Sequence, residues 1–216
     1  MAGQFDEARA KASKVLGESV VKELAGKGYE AEYVASKEEA LAAVLKLIPS
    51  GASVGVPGTV TIREIGAMEK LAERGCKIYQ HWNPSLTPAE RGQVLADENA
   101  ADYFLTSSNA ITRDGKLVNI DGNGNRVSGM AWGRSPIIYV IGINKVTANL
   151  DEAISRARGA AIPNVLRLNG STPCSQAGHC VDCNSPARIC NALLIMERAA
   201  GGRKSHVIIV GENLGF

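Results

Sequence analysis

The sequence predicts an α/β fold of three layers, α/β/α, around a mostly parallel sheet. Three observations carry this expectation. Segments with helical period alternate with short β-branched runs along the 216 residues. The runs are mostly single strands separated by helices, so their connections must be crossovers, which build parallel sheets covered on both faces. An apolar share of 45% lets a chain of this length bury a sizeable core without disulfide staples. No internal repeat, low-complexity tract or long linker divides the chain, so residues 1–216 read as one domain.

Each element has a local reason. Apolar positions from Phe5 to Ala25 recur at helical spacing, and Gly26 and Gly28 close that helix. A short strand is expected near Ala31–Ala35. Ser36 opens the next helix with Glu39 three residues on, a capping box in which each side chain satisfies the other's free backbone N–H. Pro49 and Gly51 end it, and ASVGV follows as a buried strand. Thr61 and Glu64 predict a second capping box before a helix to Arg74, followed by the strand KIYQHW. Thr87, Pro88 and Glu90 supply an N-cap, a proline at the first helical position and an N3 acid. ADYFLTSS reads as a strand. KLVNI reads as another, between tight turns at Asp114-Gly115 and Asp121–Asn125. SPIIYVIG is a strongly apolar strand, with a helix from Asn149 to Ala161 behind it. A helix from Ser185 to about Ala200 and the strand in HVIIVGENLGF complete the chain.

Charge and composition narrow the function. With 24 basic and 22 acidic residues the net charge is +2, too balanced for a nucleic-acid binder that relies on a basic face. No apolar run approaches the ~20 residues of a membrane span. The N-terminus lacks the apolar core of a signal peptide, so the expected location is the cytoplasm. There, clustered thiols point to metal or redox use rather than crosslinks.

Four of the five cysteines, Cys174, Cys180, Cys183 and Cys190, fall in STPCSQAGHCVDCNSPARIC with the spacing C-x5-C-x2-C-x6-C. Two thiolates two residues apart can face one centre from a tight turn, and flanking thiolates can complete a tetrahedral set. The expected helix from Ser185 would place Cys190 near a positive helix end, which favours a thiolate. His179 is an alternative ligand. A [4Fe–4S] cluster leads, ahead of structural zinc, a reactive thiol pair at Cys180 and Cys183, or four small buried side chains with no ligand. The spacing is not that of a ferredoxin.

Other polar positions fall at expected strand ends, where open parallel sheets bind ligands. SVGVPGTVTIREIG runs a strand through a Gly-containing turn into a helix, an arrangement that gathers anions. Glu64 reads there as a catalytic carboxylate or as the capping partner of Thr61. Its glycine spacing matches no nucleotide fingerprint, so neither flavin nor nicotinamide is supported. Asn119, Asp121, Asn123, Asn125 and Arg126 crowd one turn. Turn chemistry explains the glycines, whereas Arg126 suits a carboxylate or phosphate. Asn144 and Lys145 follow the most apolar strand. Cys76 reads as a buried structural thiol, His81 and Trp82 as edge packing or pocket lining, Trp132 as part of a Gly-rich loop, and His206 as solvent-facing.

GVPGTVTIREIG, DYFLTSSNAITRDGKLVNIDGNGNRVSG, IYVIGINKV and the late cysteine loop together resemble the LUD-domain family, named for lactate utilization. The resemblance runs from about Phe5 to Phe216. It implies a fold similar to the sugar-isomerase and CoA-transferase superfamily. It also implies a part in oxidising L-lactate or a related 2-hydroxy acid, in systems whose partner subunits carry iron–sulfur clusters. The family's polar positions map onto Glu64, Asn119, Asp121, Asn125, Arg126, Asn144 and Lys145. Of these, Glu64, Asp121, Arg126 and Lys145 are the catalytic candidates, and Asn119, Asn125 and Asn144 the binding ones. The cysteine loop departs from small members of the family, which commonly lack it. The leading expectation is therefore an oxidoreductase or a subunit of one, with a [4Fe–4S] cluster, a small carboxylate substrate attracted by Arg126 and Lys145, and a redox partner. It needs no nucleic acid and no membrane, and leaves a homo-oligomer open. Rivals are a non-catalytic zinc-stabilised interaction subunit, and a hydrolase or transferase using Glu64.

Overall fold

The computed structural model describes residues 2–216. From the N-terminus, α1 (Ala2–Gly26), β1 (Glu30–Val34), α2 (Lys37–Leu47) and β2 (Ser53–Gly55) follow one another. Then come α3 (Val60–Glu64), α4 (Ala67–Glu73), β3 (Lys77–Tyr79), α5 (Pro88–Ala100) and β4 (Tyr103–Thr106). The hairpin of β5 (Ala110–Thr112) and β6 (Leu117–Asp121) leads into α6 (Asn125–Trp132) and β7 (Ile137–Gly142). A 3₁₀ turn at Ile143–Lys145 precedes β8 (Val146–Thr147), α7 (Leu150–Gly159), α8 (Ala161–Arg167) and α9 (Pro173–Ala177). β9 (Ala192–Met196) and β10 (Ser205–Val210) complete the order.

Six strands, all parallel, form the large sheet in the order β1-β10-β7-β4-β2-β3. Its central strand β7 is buried along its whole length, because helices cover both faces. Side-chain alternation then divides the core. Ile138 and Val140 of β7, with Ile208 and Val210 of β10, pack against α2, α3 and α4 through Val44, Ile62 and Leu71. Ile137, Tyr139 and Ile141, with Val207 and Ile209, pack on the other side against Val20 and Leu24 of α1 and Met130 of α6. The result is the expected three-layer α/β/α arrangement.

Local signals explain most boundaries. Ser36 accepts from the backbone N–H of Glu39 at 3.2 Å, and the Glu39 carboxylate reaches back to Ala35 N, one residue earlier than a standard box. Thr87 and Glu90 form the full reciprocal box at the start of α5, with Pro88 at the first position. Asn149 caps α7 by accepting from Glu152 N at 2.9 Å.

Five expectations need correction. The 185–200 segment is not a helix: residues 185–191 are irregular, and Ala192–Met196 is a strand pairing antiparallel with β6 over five residue pairs. Ala, Leu and Met favour a helix, but pairing with β6 overrides that propensity. Together β8, β5, β6 and β9 build a second sheet that the alternation pattern did not reveal. Cys190 consequently sits in the irregular run ahead of β9, and no helix end favours its thiolate. Thr61 and Glu64 do not form a capping box. α3 starts from Thr59, Glu64 is its last residue, and Gly66 at φ 68° breaks the run before α4, where a side chain would be strained. Trp132 ends helix α6 rather than sitting in a loop, and is 79% exposed. His206 does not simply face solvent: its Nε2 lies 2.9 Å from Glu32 Oε1, and the ring is partly buried.

Gly55 at the end of β2 marks where α5 crosses closest to the sheet. A Cβ there would stand 1.9 Å from the backbone oxygen of Glu98, which no side-chain rotation can relieve. Gly55→Ala should therefore cost about 1–3 kcal/mol or more, read as a lowered urea midpoint. An unchanged midpoint would show that α5 yields freely.

Candidate functional site

The chain passes from β2 outward to β3, then returns to β4 on the other side of β2. The loops leaving β2 and β4 diverge, opening a crevice at the carboxyl edge of the sheet. A cavity of about 480 Å³ lies there, between the loop after β2 (Pro57, Gly58), the loop after β3 (His81, Trp82), Asn109, the β6–α6 turn and α8.

Arg126 organises its floor. The side chain donates through Nη1 to Asn119 Oδ1 at 2.8 Å, and through Nη2 to Asn109 Oδ1 at 2.8 Å and the Ile120 carbonyl at 2.6 Å. Asn109 and Asn119 also bond across to each other's strands, Asn109 N to Asn119 Oδ1 and Ile120 N to Asn109 Oδ1. Asp121 Oδ2 accepts from the backbone N–H of Arg126 and of Val127, capping α6 and holding the arginine in place. Burial pulls the Arg126 guanidinium below its ordinary pKa, with Asp121 opposing. Two amide nitrogens near it, Asn119 Nδ2 and Asn125 Nδ2, are buried and have no partner among the described residues.

A smaller annex of about 50 Å³ shares Gly58, Trp82, Asn109, Arg126 and Asn164 with the main cavity. Lys145 lies at its base, 3% exposed. Its ammonium donates to Thr61 Oγ1 at 2.9 Å and Ser107 Oγ at 3.0 Å. Neither neighbour carries charge, so burial, with Arg156 and Arg126 adding repulsion, pushes the lysine down to about 7 despite Glu64 nearby.

The opposite wall carries an aromatic platform. Trp82 is stacked between two guanidinium groups, Arg167 at 3.7 Å and Arg63 at 4.8 Å from the ring centroid. Beside it the fully buried Glu98 accepts from His81 N at 2.8 Å and holds His81 Nδ1 at 2.7 Å. Arg126 borders both spaces, Arg167 the main cavity and Lys145 the annex, and among the described residues Asp121, which caps α6, is the one Asp or Glu on either lining. Such a site suits an anion.

Not every residue singled out in the sequence arrives here. Asp121, Asn125 and Arg126 line the main cavity, Asn119 lies fully buried beneath it, and Lys145 lines the annex. Glu64 is exposed, accepts from Gly215 N and lines neither space. Asn144 ties the 3₁₀ turn to the chain end through Leu214 N at 3.1 Å, also outside both. Sequence reasoning passed over Asn109, Asn164, Arg167 and Ser107, and read Thr61 as a helix cap rather than as a partner of Lys145. Of these only Ser107 and Asn109 carried a signal, as the polar end of ADYFLTSSN.

The cysteine loop lies next door. Cys174, Cys180, Cys183 and Cys190, all unbridged, line one small cavity of about 20 Å³. Ile189 is a wall of both this cavity and the main cleft. Asp182 bridges Arg158 at 2.6 Å and Arg188 at 3.1 Å, which hold its carboxyl below the usual range and bring two guanidinium groups to the sulfurs. Thr172 Oγ1 lies 3.0 Å from Cys174 Sγ. Burial, opposed by Arg188, raises the Cys190 thiol. Among the described residues no three His, Cys, Asp or Glu side chains form a ready ligand set.

The LUD domain family profile matches residues 17–210. The chain belongs to the LUD domain family. A crystal structure of a DUF162-family protein from Deinococcus radiodurans is similar in fold, with a TM-score of 0.53 over 92% of this chain and 98% of that one at 14% identity. A translation initiation factor eIF-2B from Pyrococcus horikoshii OT3 matches 53% of this chain and 48% of its own, at 16% identity and a TM-score of 0.38. No curated protein matches. Among the described residues of this LUD domain, no helix is long and apolar enough to cross a membrane.

The buried Lys145 makes the domain's stability depend on pH. Between about 7 and the ordinary 10.5, the unfolded chain holds a proton that the native chain lacks. Stability contributed by this group therefore rises with pH across that window, at up to about 1.4 kcal/mol per pH unit. Urea midpoints of wild type and Lys145→Met should diverge accordingly, the variant lacking the rise. Parallel profiles would contradict a neutral native lysine.

Proposed function

We propose that this LUD-domain protein binds a small carboxylate of the 2-hydroxy- or 2-oxo-acid class in the cleft, and holds a metal centre on Cys174, Cys180, Cys183 and Cys190 beside it. On this reading it serves lactate-related redox metabolism together with a partner subunit that exchanges electrons. The observation that carries the reading is adjacency: Ile189 lines both the cation-rich cleft and the small cavity bordered by the four cysteines. Arg126, Lys145 and Arg167 supply the charge for a carboxylate, and the Trp82 ring holds the Arg167 guanidinium in place.

The cysteine site fits a metal on its chemistry. Four unbridged cysteines line one space without three of them standing as a ready ligand set; their sulfurs are soft ligands suited to iron–sulfur clusters and zinc once drawn together, and Arg158 and Arg188 would offset the negative charge of four thiolates. A [4Fe–4S] cluster bound there would supply one-electron transfer beside the cleft. Zinc is the second reading, favoured by the present space of about 20 Å³, the size of a single small guest. A four-iron cluster requires the irregular 178–191 run to open around it.

Protein purified without oxygen should be brown and carry iron and sulfide in equal amounts, and Cys183→Ser should lose most of both. Colourless protein with one zinc would select the second reading. Metal-free protein, or metal unaffected by Cys183→Ser, would refute the assignment. For the cleft, the exposed Arg167 can be changed without touching the core. Arg167→Gln should weaken pyruvate binding several-fold by calorimetry, on the order of 1 kcal/mol. Unchanged affinity would place the carboxylate elsewhere.

A further inference from the structure

Lys145 does more than add charge. Its side-chain nitrogen is buried, and among the described residues its hydrogen-bond partners are two hydroxyl groups, Thr61 and Ser107. The charged groups acting on it from neighbouring elements are Arg126 of α6, Arg156 of α7 and Glu64 of α3. Only Glu64 is anionic, and its carboxylate is turned to the Gly215 backbone at the surface. A buried lysine without a carboxylate partner is held most easily as a neutral amine, with its lone pair available. The position is firmly anchored as well: the 3₁₀ turn that presents it grows directly from β7, which is buried along its whole length. The annex in which it sits shares Arg126 and Trp82 as walls with the main cleft, so the two spaces are neighbours.

We propose that Lys145 is a nucleophile that condenses with the carbonyl of a 2-oxo carboxylate seated in the cleft, forming a reversible imine. The inference rests on the carboxylate reading of the cleft and deepens it, because it selects the 2-oxo acid as the ligand that reacts. The Nζ lone pair attacks the carbonyl carbon, the C=O π bond breaks, and an N–H proton passes to the oxygen to give a carbinolamine. Loss of that hydroxyl as water, with the second N–H proton, leaves C=N. No electrons leave the pair of reactants and no co-reactant is needed. The Thr61 and Ser107 hydroxyls, each within 3.0 Å of Nζ, are placed to relay both protons.

The test is reductive trapping on the native protein. Pyruvate and sodium borohydride are added at neutral pH, and the modified lysines are mapped by peptide mass spectrometry. Lys145 should carry a carboxyethyl group at about tenfold or greater excess over any exposed lysine. Lys145→Met, checked for cooperative unfolding, should lose that label and leave the background unchanged. Calorimetric titration of pyruvate on the same wild-type sample separates the two claims. Binding without label on Lys145 overturns the imine and leaves the carboxylate cleft standing. Neither binding nor label overturns both, and equal labelling of exposed lysines overturns the imine.

Discussion

The Arg126 guanidinium is the constraint on which the cleft depends. Three acceptors grip it from one strand and one loop: Asn119 and Ile120 of β6, and Asn109 between β4 and β5. The bonds tie the small mixed sheet to the carboxyl edge of the large parallel one. They add a polar tie to the apolar packing of the β5–β6 hairpin, Ala110 and Val118 on the α7 side and Ile111 and Leu117 on the other. Asp121 completes the device by anchoring the start of α6, so the arginine cannot withdraw with its helix. A positive charge is thereby held at the cleft floor by neutral acceptors, and its charge is not cancelled by contact with a carboxylate.

The same economy of anions recurs around the site. Lys145 is held by two hydroxyls, Arg167 and Arg63 by the face of Trp82, and the buried Glu98 is spent on His81. Each arrangement satisfies hydrogen-bonding or stacking demands while leaving net positive potential directed into the crevice. Burying cations in this way costs stability, a cost that a bound anion would offset. The thiol quartet inverts the pattern. Its sulfurs would carry negative charge, and the loop meets them with Arg158 and Arg188, whose shared Asp182 keeps both in place.

Much of the fold was legible in the sequence, for local reasons. Strands such as Ile137–Gly142 are apolar throughout because both faces are covered, and helices announce themselves through caps such as Thr87-Pro88-Glu90. The failures were nonlocal. Ala192–Met196 is composed of helix formers and becomes a strand only because β6 offers an edge. Glu64 looked like a capping partner because spacing cannot show that Thr61 is already engaged by Lys145, 84 residues away. Arg126, Asp121 and Lys145 could be picked out because charged residues at strand ends are informative in parallel sheets. Arg167 and Asn164 could not: they sit on an ordinary short helix, and only its packing over the switch point brings them to the cleft.

The most direct test of the Arg126 clamp is calorimetric titration of pyruvate into wild type and Arg126→Lys. The lysine keeps the charge but cannot bridge Asn109, Asn119 and the Ile120 carbonyl at once. The account predicts one site in the wild type and a loss on the order of tenfold or more in the variant, with cooperative unfolding retained. Equal affinity in the two proteins would show that charge alone suffices, and that the clamp does not shape the site.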